Sequence, residues 1–214
     1  MENPLRETLP DGLEIIETLG WHPDDGMRHA DMHIARMAKT AAVLGYSFDP
    51  EIASSLLHGV ASLIPLRCRM SLGRSSLTLN SSPLPPPAPL WHVGIATTRL
   101  NSADPWLGHK TTHRAVYDQT RATLPDGQDE LVFLNERDEV CEGTISNIFV
   151  TLSDGTRVTP PLSCGLLPGV LRQFQLSQGY VERVLTLTDL QHSREIHMGN
   201  ALRGLIRAEI IGIT

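Results

Sequence analysis

Residues 81–90, SSPLPPPAPL, put five prolines into ten positions. Each proline lacks a backbone N–H and fixes φ, so neither a helix nor a central strand can run through the segment. A chain of 214 residues interrupted there is expected to fold in two parts. A small N-terminal domain spans 1–90, with 81–90 as a stiff, extended linker, and a larger domain spans 91–214.

Before the linker, Ala30, Ile34, Met37, Ala38, Ala41 and Val43–Leu44 recur at helical spacing, and Gly45 follows as a stop signal. This predicts a helix over 29–44. Asp49-Pro50 predicts a second helix to about His58, with Asp49 as its cap. Ile64–Met70 and Ser76–Leu79 read as short strands. After the linker, Trp91–Thr97 reads as a strand, Thr111 or Thr112 as the cap of a helix to about Ala122, and Leu131–Leu134 as a strand. Asp154-Gly155 between Ile145–Leu152 and Arg157–Thr159 predicts a hairpin. Pro168 opens a helix to about Gln178, Val181–Leu187 reads as a strand, and Thr188 caps a short helix. Strands follow at Ile196–Met198 and Leu205–Ile210. The mixture is α+β and shows no repeat period.

Charge narrows the function. The formal net charge is −6, with no basic block. That weighs against nucleic acid and acidic membranes, which need clustered Lys and Arg, and leaves room for a small anionic ligand. No apolar run reaches membrane-spanning length, and the N-terminus carries no secretory pattern. Cys68, Cys141 and Cys164 form no CxxC pair and read as free thiols, so a cytoplasmic location is expected. No GxGxxG, GxxxxGK[ST] or GxSxG occurs. His29 and His33 have ligand spacing on a helix but no third partner in the sequence, so no metal is expected.

Three segments hold candidate chemistry. In GHKTTHRAVYD, residues 108–118, Lys110 is one of only two lysines in the chain. A lysine that forms an imine must lose its proton near neutrality, which cationic neighbours such as His109, His113 and Arg114 promote. In NERDEVCEGTISNIFV, residues 135–150, Glu142 precedes Gly143 and small polar residues. A pocketed carboxylate there can keep a pyridine nitrogen protonated. In PPLSCGLLPGVLRQ, residues 160–173, a helix starts between glycines, and the free N–H groups of a helix start bind phosphate.

In this order the segments resemble the class IV aminotransferase family, the fold-type IV pyridoxal-phosphate enzymes. The likeness rests on Glu142, Asn147, Ile148, Phe149, Thr159, Leu167, Gly169, Val170 and Arg172. It extends to ETL at 17–19, HIARM at 33–37 and GNALRGL at 199–205. Arg157 departs from it, since the family usually has an apolar residue two before the threonine. The resemblance implies a small N-terminal α/β sandwich, a C-terminal barrel-like domain, and pyridoxal 5'-phosphate in the cleft between them. It implies Lys110 as imine lysine and proton carrier, and Glu142 as partner of the pyridine nitrogen. Arg36 and the backbone N–H groups of Val170 and Leu171 are implied on the phosphate, with Asn200 near it, and Asn147 is a further cofactor-binding residue. Arg99 is a candidate for a substrate carboxylate. A homodimer acting on a small amine or amino acid is also implied.

Within the family, residues 102–118 and 142–150 look most like the enzymes that convert 4-amino-4-deoxychorismate to 4-aminobenzoate and pyruvate. The alternatives are an aminotransferase for branched-chain or D-amino acids, and a non-catalytic relative. The chain opens almost at ETL, without the hairpin expected first in the family, which motivates the last of these.

Overall fold

The computed structural model describes residues 4–7 and 9–212. The chain forms two compact units, one from residues up to Pro86 plus His109–His113, the other from Pro87–Gly108 plus Arg114 onward.

The first unit contains α1 (Pro4–Glu7), β1 (Ile15–His22), β2 (Gly26–Met27), α2 (Ala30–Leu44), α3 (Pro50–His58), β3 (Leu66–Leu72) and β4 (Leu77–Pro83). Its sheet has the order β2-β1-β3-β4 and is antiparallel throughout. The buried stripe of α2 is His33, Arg36, Met37, Thr40, Ala41 and Leu44, the three-to-four spacing of an amphipathic helix. Asp49 accepts the N–H groups of Glu51 and Ile52 and so caps α3, as its Asp-Pro start predicts. Ile15, Glu17 and Leu19 lie on one face of β1 and are all buried. Glu17 thus sits among apolar side chains, and the chemistry around it follows from that.

The second unit contains β5 (Leu90–Leu100), α4 (Ala115–Ala122), β6 (Glu130–Asn135), β7 (Val140–Gly143), β8 (Asn147–Thr151) and β9 (Arg157–Thr159). It continues with α5 (Val170–Ser177), β10 (Val181–Glu182), α6 (Leu187–Gln191), β11 (Glu195–Asn200) and β12 (Gly204–Ile210). The order β8-β11-β12-β5-β6-β7 closes through a β7–β8 pairing into a six-stranded barrel, and β9 and β10 extend from β8. Closure removes the exposed edges of these strands. β6 is buried on both faces. Val132 and Leu134 join the cluster of Val93, Ile148, Val150, Met198 and Ile206, whereas Leu131 and Phe133 pack with Leu100, Leu107, Cys141 and Cys164. All three cysteines are buried free thiols.

Several sequence expectations shift. Residues 81–83 belong to β4 and Leu90 opens β5, so only 84–89 lie outside strands. Thr111 and Thr112 do not cap α4. Lys110 O accepts from Ile16 N–H at 2.9 Å and Glu14 O from Thr112 N–H at 2.9 Å, so this stretch lies along β1 in the first unit. The short helix α6 is capped by Thr186 with Asp189, not by Thr188, which shortens the preceding strand to Val181–Glu182. His29 precedes α2 in a left-handed conformation, so His29 and His33 do not share a helix face. Among the described residues, no group of His, Cys, Asp and Glu is arranged to hold a metal ion. Nor is any helix there long and apolar enough to cross a membrane.

Candidate active site

In the first unit the site residues gather around Glu17. Its Oε1 accepts from Arg36 Nε at 2.8 Å and its Oε2 from Arg36 Nη2 at 2.5 Å, a bidentate pair. His33 Nδ1 lies 2.6 Å from the same Oε2. Burial alone would raise the Glu17 carboxyl, but the charge and hydrogen bonds of Arg36, with those of His33, hold it at about 2. Burial pushes His33 down against the pull of Glu17, and the charges of Arg36 and Lys110 push it further. Its Nε2 is buried and without a hydrogen-bond partner among the described residues. Lys110 is half-buried, and its charge is felt at His33. His109, beside it, lies 3.2 Å from Thr40 Oγ1 through Nδ1.

In the second unit the centre is Glu142, 5% exposed at the end of β7. Tyr117 Oη donates to its Oε1 at 2.8 Å and Leu167 N–H to the same oxygen at 3.1 Å. Asn147 Nδ2 donates to Oε2 at 3.2 Å and to Leu167 O at 3.1 Å. Burial raises the Tyr117 hydroxyl far above its ordinary range, and the neighbouring Glu142 raises it further, so the phenol is a donor at all ordinary pH. Tyr117 was not singled out in the sequence. Its place on α4, one turn beyond Arg114, is what brings it to Glu142.

Asn147, read from the sequence as a cofactor residue, touches Glu142 and the backbone that leads to α5. Gly169 precedes α5, and a Cβ there would lie 1.8 Å from Asn147 Oδ1. Glycine is therefore required for that close approach. Val170 and Leu171 follow it, and their N–H groups lie in the first turn, where no intrahelical acceptor exists. Asn200 closes the β11–β12 turn: Oδ1 accepts from Leu202 and Arg203 N–H, and Nδ2 donates to Ile145 O. Arg99 is paired with exposed Asp138 through Nε and Nη2, and its Nη1 donates to Ala96 O. Arg172 is buried and holds Pro160 O and Glu182. Arg157, the departure from the family pattern, lies over the Tyr180 ring at 5.0 Å and donates to Gln178 O.

The model of the family described as "Amino-transferase class IV" matches residues 14–211. The chain belongs to the class IV aminotransferase family. Among solved structures of this family type, a "Putative amino-acid aminotransferase" from Mesorhizobium loti is 38% identical. The match covers 93% of this chain and all of that one, with a TM-score of 0.85. A Schizosaccharomyces pombe protein named "Putative aminodeoxychorismate lyase" is 27% identical over 84% of this chain and 82% of its own length. The 4-amino-4-deoxychorismate lyase structure from Pseudomonas aeruginosa shares the fold at 24% identity and a TM-score of 0.77, over 92% of this chain and 82% of that one. Class IV aminotransferases work with pyridoxal phosphate, and the chain is an enzyme of that kind.

Proposed function

We propose that this protein is an aminodeoxychorismate lyase, converting 4-amino-4-deoxychorismate to 4-aminobenzoate and pyruvate with pyridoxal phosphate. The observation that carries this reading is the similarity to the S. pombe protein along most of both chains. The site residues fit the cofactor. A buried carboxylate with three donors fixed on it suits a pyridine nitrogen, and the α5 start behind Gly169 suits a phosphate.

When bound, pyridoxal phosphate supplies an electron sink for the carbon that bears the substrate amine. Lys110 would hold the cofactor through Nζ and would carry the proton taken from the substrate carbon that bears the amine. Glu142 keeps a proton on the pyridine nitrogen, and Tyr117, Asn147 and the Leu167 N–H prevent the carboxylate from turning away. The N–H groups of Val170 and Leu171 would hold the phosphate; Arg36, whose guanidinium is oriented by Glu17, is proposed as a phosphate ligand on the family resemblance. The conversion would be redox-neutral: the carbon that bears the amine gives up a proton, the ring–oxygen bond breaks with its electron pair on the leaving oxygen, the proton is returned to the leaving group to give pyruvate, and the ring becomes aromatic.

The same residues serve amino transfer, and the 38% identity to the M. loti protein favours that second reading. The discriminating assay supplies aminodeoxychorismate without any keto acid. Stoichiometric release of pyruvate and 4-aminobenzoate is expected. No release, together with acceptor-dependent amino transfer from amino acids, overturns the lyase. A protein that takes up no pyridoxal phosphate and stays colourless overturns both. The proposal includes a homodimer in the cytoplasm, the commonest soluble assembly. Light scattering at micromolar concentration should give twice the chain mass, and an active monomer would refute it.

A further inference from the structure

Glu130 opens β6, is fully buried, and spends its carboxylate almost wholly on the turn that follows Glu142. Oε1 accepts from Thr144 N–H at 3.0 Å and from Thr144 Oγ1 at 2.5 Å. Oε2 accepts from Ile145 N–H at 3.2 Å and from Ser146 Oγ at 2.9 Å. Leu131 N–H adds a bond at 3.1 Å, and Arg121 Nη1 supplies the counter-charge at 3.5 Å. The turn is packed so closely that a Cβ on Gly143 would lie 2.6 Å from Ser146 Oγ and 2.9 Å from the Glu130 carboxyl carbon.

The turn joins β7 to β8, where Glu142 and Asn147 face each other as a pair. α4 grips it from the other side. Arg121 Nη1 donates to Thr144 Oγ1 at 3.0 Å and Arg114 Nη2 to Thr144 O at 2.9 Å, while Tyr117 of the same helix reaches Glu142. Thr144 is therefore held at its N–H, its hydroxyl and its carbonyl, and Glu142 lies two residues away.

We propose that Glu130 is a positioning residue that sets the orientation of the Glu142 carboxylate by gripping residues 144–146. The proposal rests on the reading of Glu142 as partner of the pyridine nitrogen. Glutamine cannot replace Glu130 without loss, because every neighbour of the carboxylate is a donor and an amide NH₂ would face N–H groups. A group that only stabilises the fold would alter unfolding and leave the electronic state of the cofactor unchanged. A positioning group changes that state.

The experiment uses the holoenzyme loaded with pyridoxal phosphate carrying ¹⁵N in the ring, and reads the ring-nitrogen shift. Wild type should show a protonated nitrogen and Glu142→Gln a loss of that proton. Glu130→Gln should move clearly toward Glu142→Gln at full cofactor occupancy, and Glu130→Asp should fall between. Turnover of Glu130→Gln should drop about tenfold or more, with KM little changed, as a carboxylate displaced by a fraction of an ångström implies. If Glu130→Gln keeps the wild-type shift, the proposal is overturned. If that variant does not fold, Thr144→Val with Ser146→Ala removes two of the donors and is read in the same way: an intermediate shift supports the grip, and a wild-type shift overturns it. If wild type and Glu142→Gln share one shift, the reading of Glu142 falls and takes this proposal with it.

Discussion

Replacing Glu17 by glutamine tests the electrostatic core of the first unit. The amide keeps the shape and one acceptor, but it leaves the Arg36 guanidinium, 8% exposed, without its counter-ion. Breaking a buried pair by removing one partner costs roughly 3–5 kcal/mol. The titration of Glu17 gives a second figure. Against the penalty of burial, Arg36 and His33 hold its carboxyl at about 2 rather than 4.5. At ~1.4 kcal/mol per unit this is on the order of 3 kcal/mol. Because the folded value is the lower one, the contribution is fully present above the unfolded value of 4.5 and fades as pH falls towards 2. Hydrogen exchange of amides in β1 and α2 reads this unit directly. At neutral pH, Glu17→Gln should lose about 3 kcal/mol there, and the gap to wild type should close by up to ~1.4 kcal/mol per pH unit below the unfolded value. A gap under about 1 kcal/mol at neutral pH, or one that stays constant down to about pH 3, refutes the reasoning.

Lys110→Ala should abolish turnover and the visible absorbance of covalently held cofactor while circular dichroism stays native. Near-wild-type turnover without added amines would remove Lys110 from the mechanism. Gly169→Ala drives a methyl group into Asn147 Oδ1. It should cost about 1–3 kcal/mol in urea unfolding and weaken cofactor binding, measured by absorbance titration. Arg99→Ala removes a pair that is 40% and 77% exposed on its two sides. It should change stability by less than about 1 kcal/mol and leave KM unaltered, whereas a large rise in KM would mark Arg99 as a substrate ligand.

Local signals made much of this protein legible. The stripe and glycine stop of α2, the Asp-Pro start of α3 and the Asp-Gly turn before β9 each depend on residues a few positions apart, so the sequence determines them. The ordered run from Glu142 to Arg172 pointed to the cofactor chemistry in the same way. β1 escaped notice because IIETLGWH does not alternate: five of its eight residues are buried and none is exposed, and a strand covered on both faces loses the period of two. Only the tertiary structure decided what surrounds each charged group. Glu17 meets Arg36 and His33 from another element, Glu130 meets residues 144–146, and Tyr117 meets Glu142 across 25 positions. Residues 109–113 join the first unit through backbone bonds to β1, which no composition or propensity encodes. A carboxylate in sequence is only a charge. Its burial and its donors, which come from strands and helices remote along the chain, decide whether it stays in solvent, pairs, or holds a catalytic turn in place.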